Sequence, residues 1–128
     1  METITTNGIT ISVEAFYMEN ESQPGQRKHI FSYHVTIENV SNDTVQLLRR
    51  HWYIIESSGN LREVKGDGVI GQQPTLAPGE SHSYKSWAQI TADFGKMLGT
   101  YHMISPLTNK EFEVQIPAFK LIAKHRLN

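Results

Sequence analysis

Apolar and polar residues alternate with a period of two along most of this chain. In residues 8–19, Ile9, Ile11, Val13, Ala15 and Tyr17 share one parity, while Thr10, Ser12 and Glu14 share the other. Successive side chains of an extended strand point to opposite faces, so the pattern predicts a strand with one buried face. Phe16 and Met18 interrupt the polar parity near its end, which predicts that something covers that end. Residues 29–40 alternate most cleanly, with Phe31, Tyr33, Val35 and Ile37 against Ser32, His34, Thr36 and Glu38. Within residues 44–56 the parity switches, from Val45 and Leu47 to Trp52 and Ile54. One extra residue repairs such a switch, so a β-bulge is expected between Leu48 and Arg50.

Further strands are predicted at residues 61–65, 81–90, 97–104 and 111–121, with turns at 20–28, 39–43, 57–60 and 105–109. Pro78-Gly79 has the type II turn signature. Residues 91–96 read as a connection holding a short helical turn, and 120–128 as a basic tail. Pro117 has no N–H to donate, so it marks a sheet edge or a strand break. Seven or eight short strands without a ten-residue amphipathic helix predict an all-β fold, an immunoglobulin/fibronectin III-like antiparallel β-sandwich. Trp52 is expected in its core. Tyr101 sits where such folds place a corner tyrosine.

The 128 residues suit one domain spanning 1–128. There is no cysteine, which excludes disulfides, zinc–thiolate sites and thiol nucleophiles. The first eight residues lack the basic and apolar regions of a signal peptide, and no apolar run approaches the roughly 20 residues a membrane helix needs. A cytoplasmic protein without membrane insertion is expected. Twelve Lys and Arg against 13 Asp and Glu give no general attraction to nucleic acid.

The glycines Gly66, Gly68 and Gly71 carry the spacing G-x-G-x-x-G. That spacing binds phosphate when it opens a helix, whose first N–H groups then face the anion. Here Pro74 and Pro78 follow too closely for a helix to run on. The stretch therefore reads as a rigid connection between strands. As an anion loop it remains a weak candidate, since consecutive N–H groups can hold an anion without a helix. Six histidines are present, yet none stands at helical metal-site spacing, and no serine sits in a nucleophile elbow. No catalytic residue, cofactor or tight metal site is expected. What remains is a binding module, with Arg50, Asp67, Val69, Ile70, Gln72, Trp87 and Phe94 as candidate contacts for a protein partner. Residues 66–79 would act as its recognition loop. A homodimer through the edge of the 8–19 strand is also expected.

Residues spread over nearly the whole chain resemble the ApaG family. They run through Gln46-Leu47-Leu48, Arg50, Trp52 and Ile54, then Gly66, Gly68, Val69, Gly71, Gln73-Pro74, Leu76 and Pro78-Gly79. Tyr84, Ser86, Met97, Gly99, Tyr101 and Met103 follow, and then Phe112, Val114, Ile116-Pro117, Phe119 and Leu121. The resemblance implies a fibronectin III-like sandwich, a link to cobalt and magnesium efflux or resistance, and use as a protein-interaction module. It names no chemical activity. The alternative is a regulator that binds a metal ion, or a phosphate or nucleotide at residues 66–71. Trp87 stands where the family has a small residue, His102 where it has an acidic one, and Asp67 where it has Glu.

Overall fold

The computed structural model describes residues 1–123. Nine strands form two antiparallel sheets: β1 (Glu2–Thr6), β2 (Ile9–Tyr17), β3 (His29–Asn39), β4 (Val45–Glu56), β5 (Leu61–Asp67), β6 (Thr75–Leu76), β7 (Ser81–Ile90), β8 (Phe94–Ser105) and β9 (Lys110–Ile122). One sheet has the order β1-β2-β3-β7; the other runs β5-β4-β8-β9, with β6 paired to the start of β4. A single 3₁₀ turn at Pro24–Gln26 is the one helical element among the described residues. The predicted all-β sandwich is the fold.

Inward residues of both sheets meet around Trp52, which is 2% exposed. Tyr33 comes to it from the first sheet, and Tyr101 and Phe119 from its own, with ring centroids 5.4, 6.4 and 5.9 Å away. Edge-to-face packing of this kind adds roughly 1 kcal/mol per pair beyond area burial. Two bulges keep the inward faces inward. Between Leu47 and Arg49 the β4–β8 register slips by one, at Leu48, so Val45, Leu47, Trp52 and Ile54 all reach the core. Between Met97 and Gly99, β9 places Pro117 and Ala118 opposite Leu98 alone. Val114 and Ile116 before that bulge, and Phe119 and Leu121 after it, are all buried. Pro117 therefore sits on an edge strand and at a bulge, where its missing N–H breaks no ladder bond.

The structure corrects several sequence expectations. The N-terminal residues form β1, an edge strand folded onto β2 by the Asn7-Gly8 turn, whose φ angles are 51° and 79°. Two positive φ values in a two-residue hairpin define a type I′ turn, for which Asn-Gly is the strongest sequence signal. The 8–19 strand is consequently no free edge. Ile9 to Val13 are paired on both sides, and the edge proposed for dimerisation belongs to β1. No helical turn forms at 91–96, because β8 already begins at Phe94. Among the described residues no other element covers the end of β2: Phe16 stacks on His34 with centroids 5.0 Å apart and remains 42% exposed. Tyr101 makes no corner. It is fully buried in the second half of β8, and its hydroxyl shares a hydrogen bond with that of Tyr84. Of the expected basic tail, Lys120 to Ile122 belong to β9, and 124–128 lie outside the described residues.

Asn39 locks the turn between β3 and β4. Its buried amide donates to the carbonyls of Asp43 at 2.7 Å and Leu76 at 3.0 Å, and its Oδ1 accepts from the N–H and hydroxyl of Ser41. Truncation strips the buried Leu76 carbonyl of a partner and frees the turn. Asn39→Ala should cost about 3 kcal/mol, since each bond contributes roughly 1 kcal/mol net. Chemical denaturation checks this; a loss below about 1 kcal/mol would refute the locking role.

Candidate interaction surfaces

The glycine stretch forms a tight hairpin tip. Gly66 lies in β5 opposite Arg50 of β4. Beyond it, Val69 and Gln72 exchange backbone hydrogen bonds of 2.8 and 3.0 Å around Ile70 and Gly71, whose φ angles are 47° and 73°. This is again a type I′ turn, here with the unusual feature of isoleucine in the left-handed region. The amides of Gly68, Val69 and Gln72 are occupied by Leu48 O, Gln72 O and Val69 O. They point into the protein, and no helix follows them.

Arg50 holds this tip. Its guanidinium passes over Gly66, where an added Cβ would lie 2.8 Å from a guanidinium nitrogen. It donates to the carbonyls of Asp67 at 2.9 Å and Gly68 at 3.0 Å. Behind it lie the hydroxyls of Tyr33, Tyr84 and Tyr101. Burial pushes all three phenols up, and in each the charge of Arg50 partly opposes the shift. All three stay neutral at ordinary pH and serve as hydrogen-bonding core residues.

On the outer face of the second sheet, polar side chains line a shallow concavity of about 540 Å³ formed by Arg49, His51, Lys65, Asp67, Thr100, His102 and neighbours. Several of its basic groups pair with carboxylates at its border. His51 Nε2 meets Glu63 at 2.8 Å, and Glu111 takes both His102 and Arg49. The hydrogen bond from His102 is the main cause that holds the exposed Glu111 carboxyl below its usual range. At the opposite end of the molecule, His29 is buried between Asp93, 3.3 Å from Nε2, and the Tyr17 hydroxyl, 3.2 Å from Nδ1. Both ring nitrogens are engaged, so the group clips the start of β3 to the 91–93 bend. Next to it the buried Glu56 accepts from Thr91 N, Thr91 Oγ1 and Ala92 N at 2.8 to 2.9 Å. Burial raises its carboxyl, but these bonds and Arg62 outweigh that and leave it lowered. Among the described residues no three His, Asp or Glu side chains form a metal-ligand cluster.

A different surface lies beside that clip. Ile55, Phe94, Gly95, Lys96, Lys120 and Ile122, with Glu56 and Ser57 at one end, line a groove of about 490 Å³ across β4, β8 and β9. Phe94 faces Ile122 and Lys96 faces Lys120 in strand register. Among the described residues no carboxylate lies within ion-pair distance of either lysine. Like charges directly opposite each other on a sheet are destabilising.

The seven candidate contacts do not converge on one surface. Arg50, Asp67, Val69, Ile70 and Gln72 gather at the hairpin tip, but Val69 is 1% exposed and packs in the core while Ile70 stands out at 61%. Trp87 lies on the outer face of the other sheet, and Phe94 at the groove. Sequence reasoning passed over Lys96, Lys120 and Ile122. Their signal was the mirrored order of Phe94-x-Lys96 and Lys120-x-Ile122, legible only once β8 and β9 are known to pair in that register.

The model of the ApaG domain matches residues 19–105 of the chain. The ApaG protein of Brucella canis is 43% identical over 121 residues, covering 94% of this chain and 92% of that one. The ApaG protein of Brucella anthropi is 46% identical over 116 residues, covering 91% and 88%. A crystal structure of a Bordetella pertussis protein described as ApaA superposes with a TM-score of 0.86 at 39% identity, covering 89% of this chain and 92% of that one. The family model, the sequence identities and the superposed fold agree, and this chain belongs to the ApaG family.

Proposed function

We propose that the chain is a non-enzymatic interaction module that docks a partner protein in the groove of Ile55, Phe94, Gly95, Lys96, Lys120 and Ile122. The observation that carries this reading is the facing pair Lys96 and Lys120, set beside apolar walls with no ion-pair partner among the described residues; the Glu56 carboxylate that also lines the groove is engaged by Thr91 and Ala92. Two adjacent ammonium groups repel each other until an anion sits between them. Apolar walls beside them favour a ligand that is apolar as well as acidic. The partner segment therefore presents carboxylates interleaved with aliphatic side chains. The link to cobalt and magnesium efflux that the resemblance implies would fit a chain that acts on that process through a protein and does not itself carry the ion.

The test uses the isotopically labelled full chain and a short peptide of alternating aspartate and leucine. Its addition should shift the amide signals of Gly95, Lys96, Lys120 and Ile122. Lys96→Glu with Lys120→Glu should weaken binding at least tenfold, about 1.4 kcal/mol, at unchanged melting temperature. Equal binding of an alternating lysine and leucine peptide would overturn the reading. Saturable shifts at Gly66, Gly68 and Gly71 on addition of ATP would instead favour a phosphate site at the hairpin tip.

A further inference from the structure

The outer face of the first sheet carries the second unexplained feature. Phe16 of β2, Ser32 of β3 and Trp87 of β7 stand in one row across the strands. Phe16 is 42% and Trp87 50% exposed. Ser32 lies between them on the outward side, yet it is only 3% exposed, and its hydroxyl has no hydrogen-bond partner. Among the described residues no strand or helix lies over this side, so the flanking side chains themselves close over it. The two rings thus belong to one continuous apolar patch. Ile30 and Met18 extend the patch in the next row, where Met18 N–H donates to Ile30 O. His34 borders it on the other side, stacked on Phe16.

The adjacent row is Glu14, His34 and Lys85 in register. Neither Glu14 nor Lys85 has an ion-pair partner among the described residues. Its two charges are opposite in sign and stand on either side of β3. The aromatic row has the same layout, with one ring on each side of β3. A two-fold axis lying in the face along β3 exchanges the β2 side of one copy with the β7 side of another. It lays Phe16 over the partner's Trp87, and Glu14 over the partner's Lys85, twice each. A surface that complements itself under a two-fold rotation is what an isologous dimer requires. Sheets that pack face to face cross at about 30°, which tilts each copy's strands by half that from the axis.

We infer that the β2-β3-β7 face, centred on Phe16 and Trp87, is a self-association surface that joins two copies of this chain into a parallel, face-to-face dimer. Three strands at about 4.8 Å spacing and some 30 Å of length give a footprint of roughly 400 Å² per copy. That lies below the about 800 Å² per partner of standard complexes. The dimer is therefore expected to be weak and transient. It leaves the Lys96–Lys120 groove, which is on the other sheet, open.

Sedimentation velocity of the full chain over a wide concentration range tests the proposal, with thermal melting as the control for folding. A monomer–dimer equilibrium is expected, and the emission of the exposed Trp87 should shift to the blue as dimer forms. Trp87→Ser should weaken association at least tenfold without lowering the melting temperature. The charge row gives the sharper readout. Lys85→Glu alone, or Glu14→Lys alone, should weaken the dimer about tenfold, whereas the double exchange Glu14→Lys with Lys85→Glu should restore it. Only the two-fold geometry joins these residues across copies. A wild-type chain that stays monomeric near millimolar concentration would overturn the inference. So would a dimer indifferent to Trp87→Ser, or a double exchange weaker than either single change.

Discussion

Replacing Gly99 with alanine should destabilise the fold by about 4 kcal/mol and lower the melting temperature by roughly 15 °C. Gly99 is in the middle of β8, directly opposite Trp52 of β4, with its missing side chain on the inward face. A Cβ there would stand 2.1 Å from the carbonyl oxygen of His51 and 3.2 Å from the Cα of Trp52. Both are backbone atoms in the centre of a sheet, so neither can swing aside as a side-chain tip would. Relief requires β4 and β8 to separate next to the largest residue of the core. The neighbouring bulge at Pro117 and Ala118 already bends β9 around this point. Gly25→Ala is the control: no atom lies within 4 Å of its added Cβ, and its stability should change by less than about 0.5 kcal/mol. Denaturant unfolding of the three proteins measures both. A near-neutral Gly99→Ala would show that the two strands do not approach this closely.

At the hairpin tip, Gly68→Ala should cost about 3 kcal/mol and Gly71→Ala about 1 kcal/mol, as judged by the same unfolding curves. Both residues have positive φ, 61° and 73°. A side chain in that region is strained wherever it occurs, and this sets the cost at Gly71, whose Cβ would meet open space. Gly68 adds a collision: its Cβ would lie 2.2 Å from the carbonyl oxygen of Gln72 and 2.9 Å from the carbon. That carbonyl accepts the Val69 N–H which closes the turn. The substitution therefore opens the hairpin, withdraws the buried Val69 and displaces the Gly68 carbonyl held by Arg50. Equal costs at the two positions would refute the collision and leave conformational strain as the whole effect. The glycines are thus explained by the needs of a tight turn.

Alternation alone determined the sandwich. Nine of the eleven inward residues of β2 and β3, all but His29 and Asn39, were legible as such, because a half-buried strand repeats every two residues. The bulge at Leu48 was equally legible, since Val45 and Leu47 cannot share a face with Trp52 and Ile54 without one extra residue. The Pro78-Gly79 turn was legible too, because its residues fix their own backbone angles: Gly79 has φ 86° and Glu80 N–H donates to Ala77 O. The sequence signal for β1 was present in Asn7-Gly8, and the polar, short Glu2–Thr6 hid it. Other features depend on which strands meet. Whether Val69 or Ile70 faces outward follows from a two-residue turn whose register is fixed by its closing hydrogen bonds. Tyr101 could be placed in a strand, but its bond to Tyr84 joins the two sheets, and no local pattern records the distance between sheets. The facing lysines 96 and 120 and the row of Phe16, Ser32 and Trp87 are likewise products of register. Side-chain period dictates which residues share a face of one strand; only the pairing of strands far apart in the chain decides which residues stand side by side, and it is there that the surfaces of this protein are made.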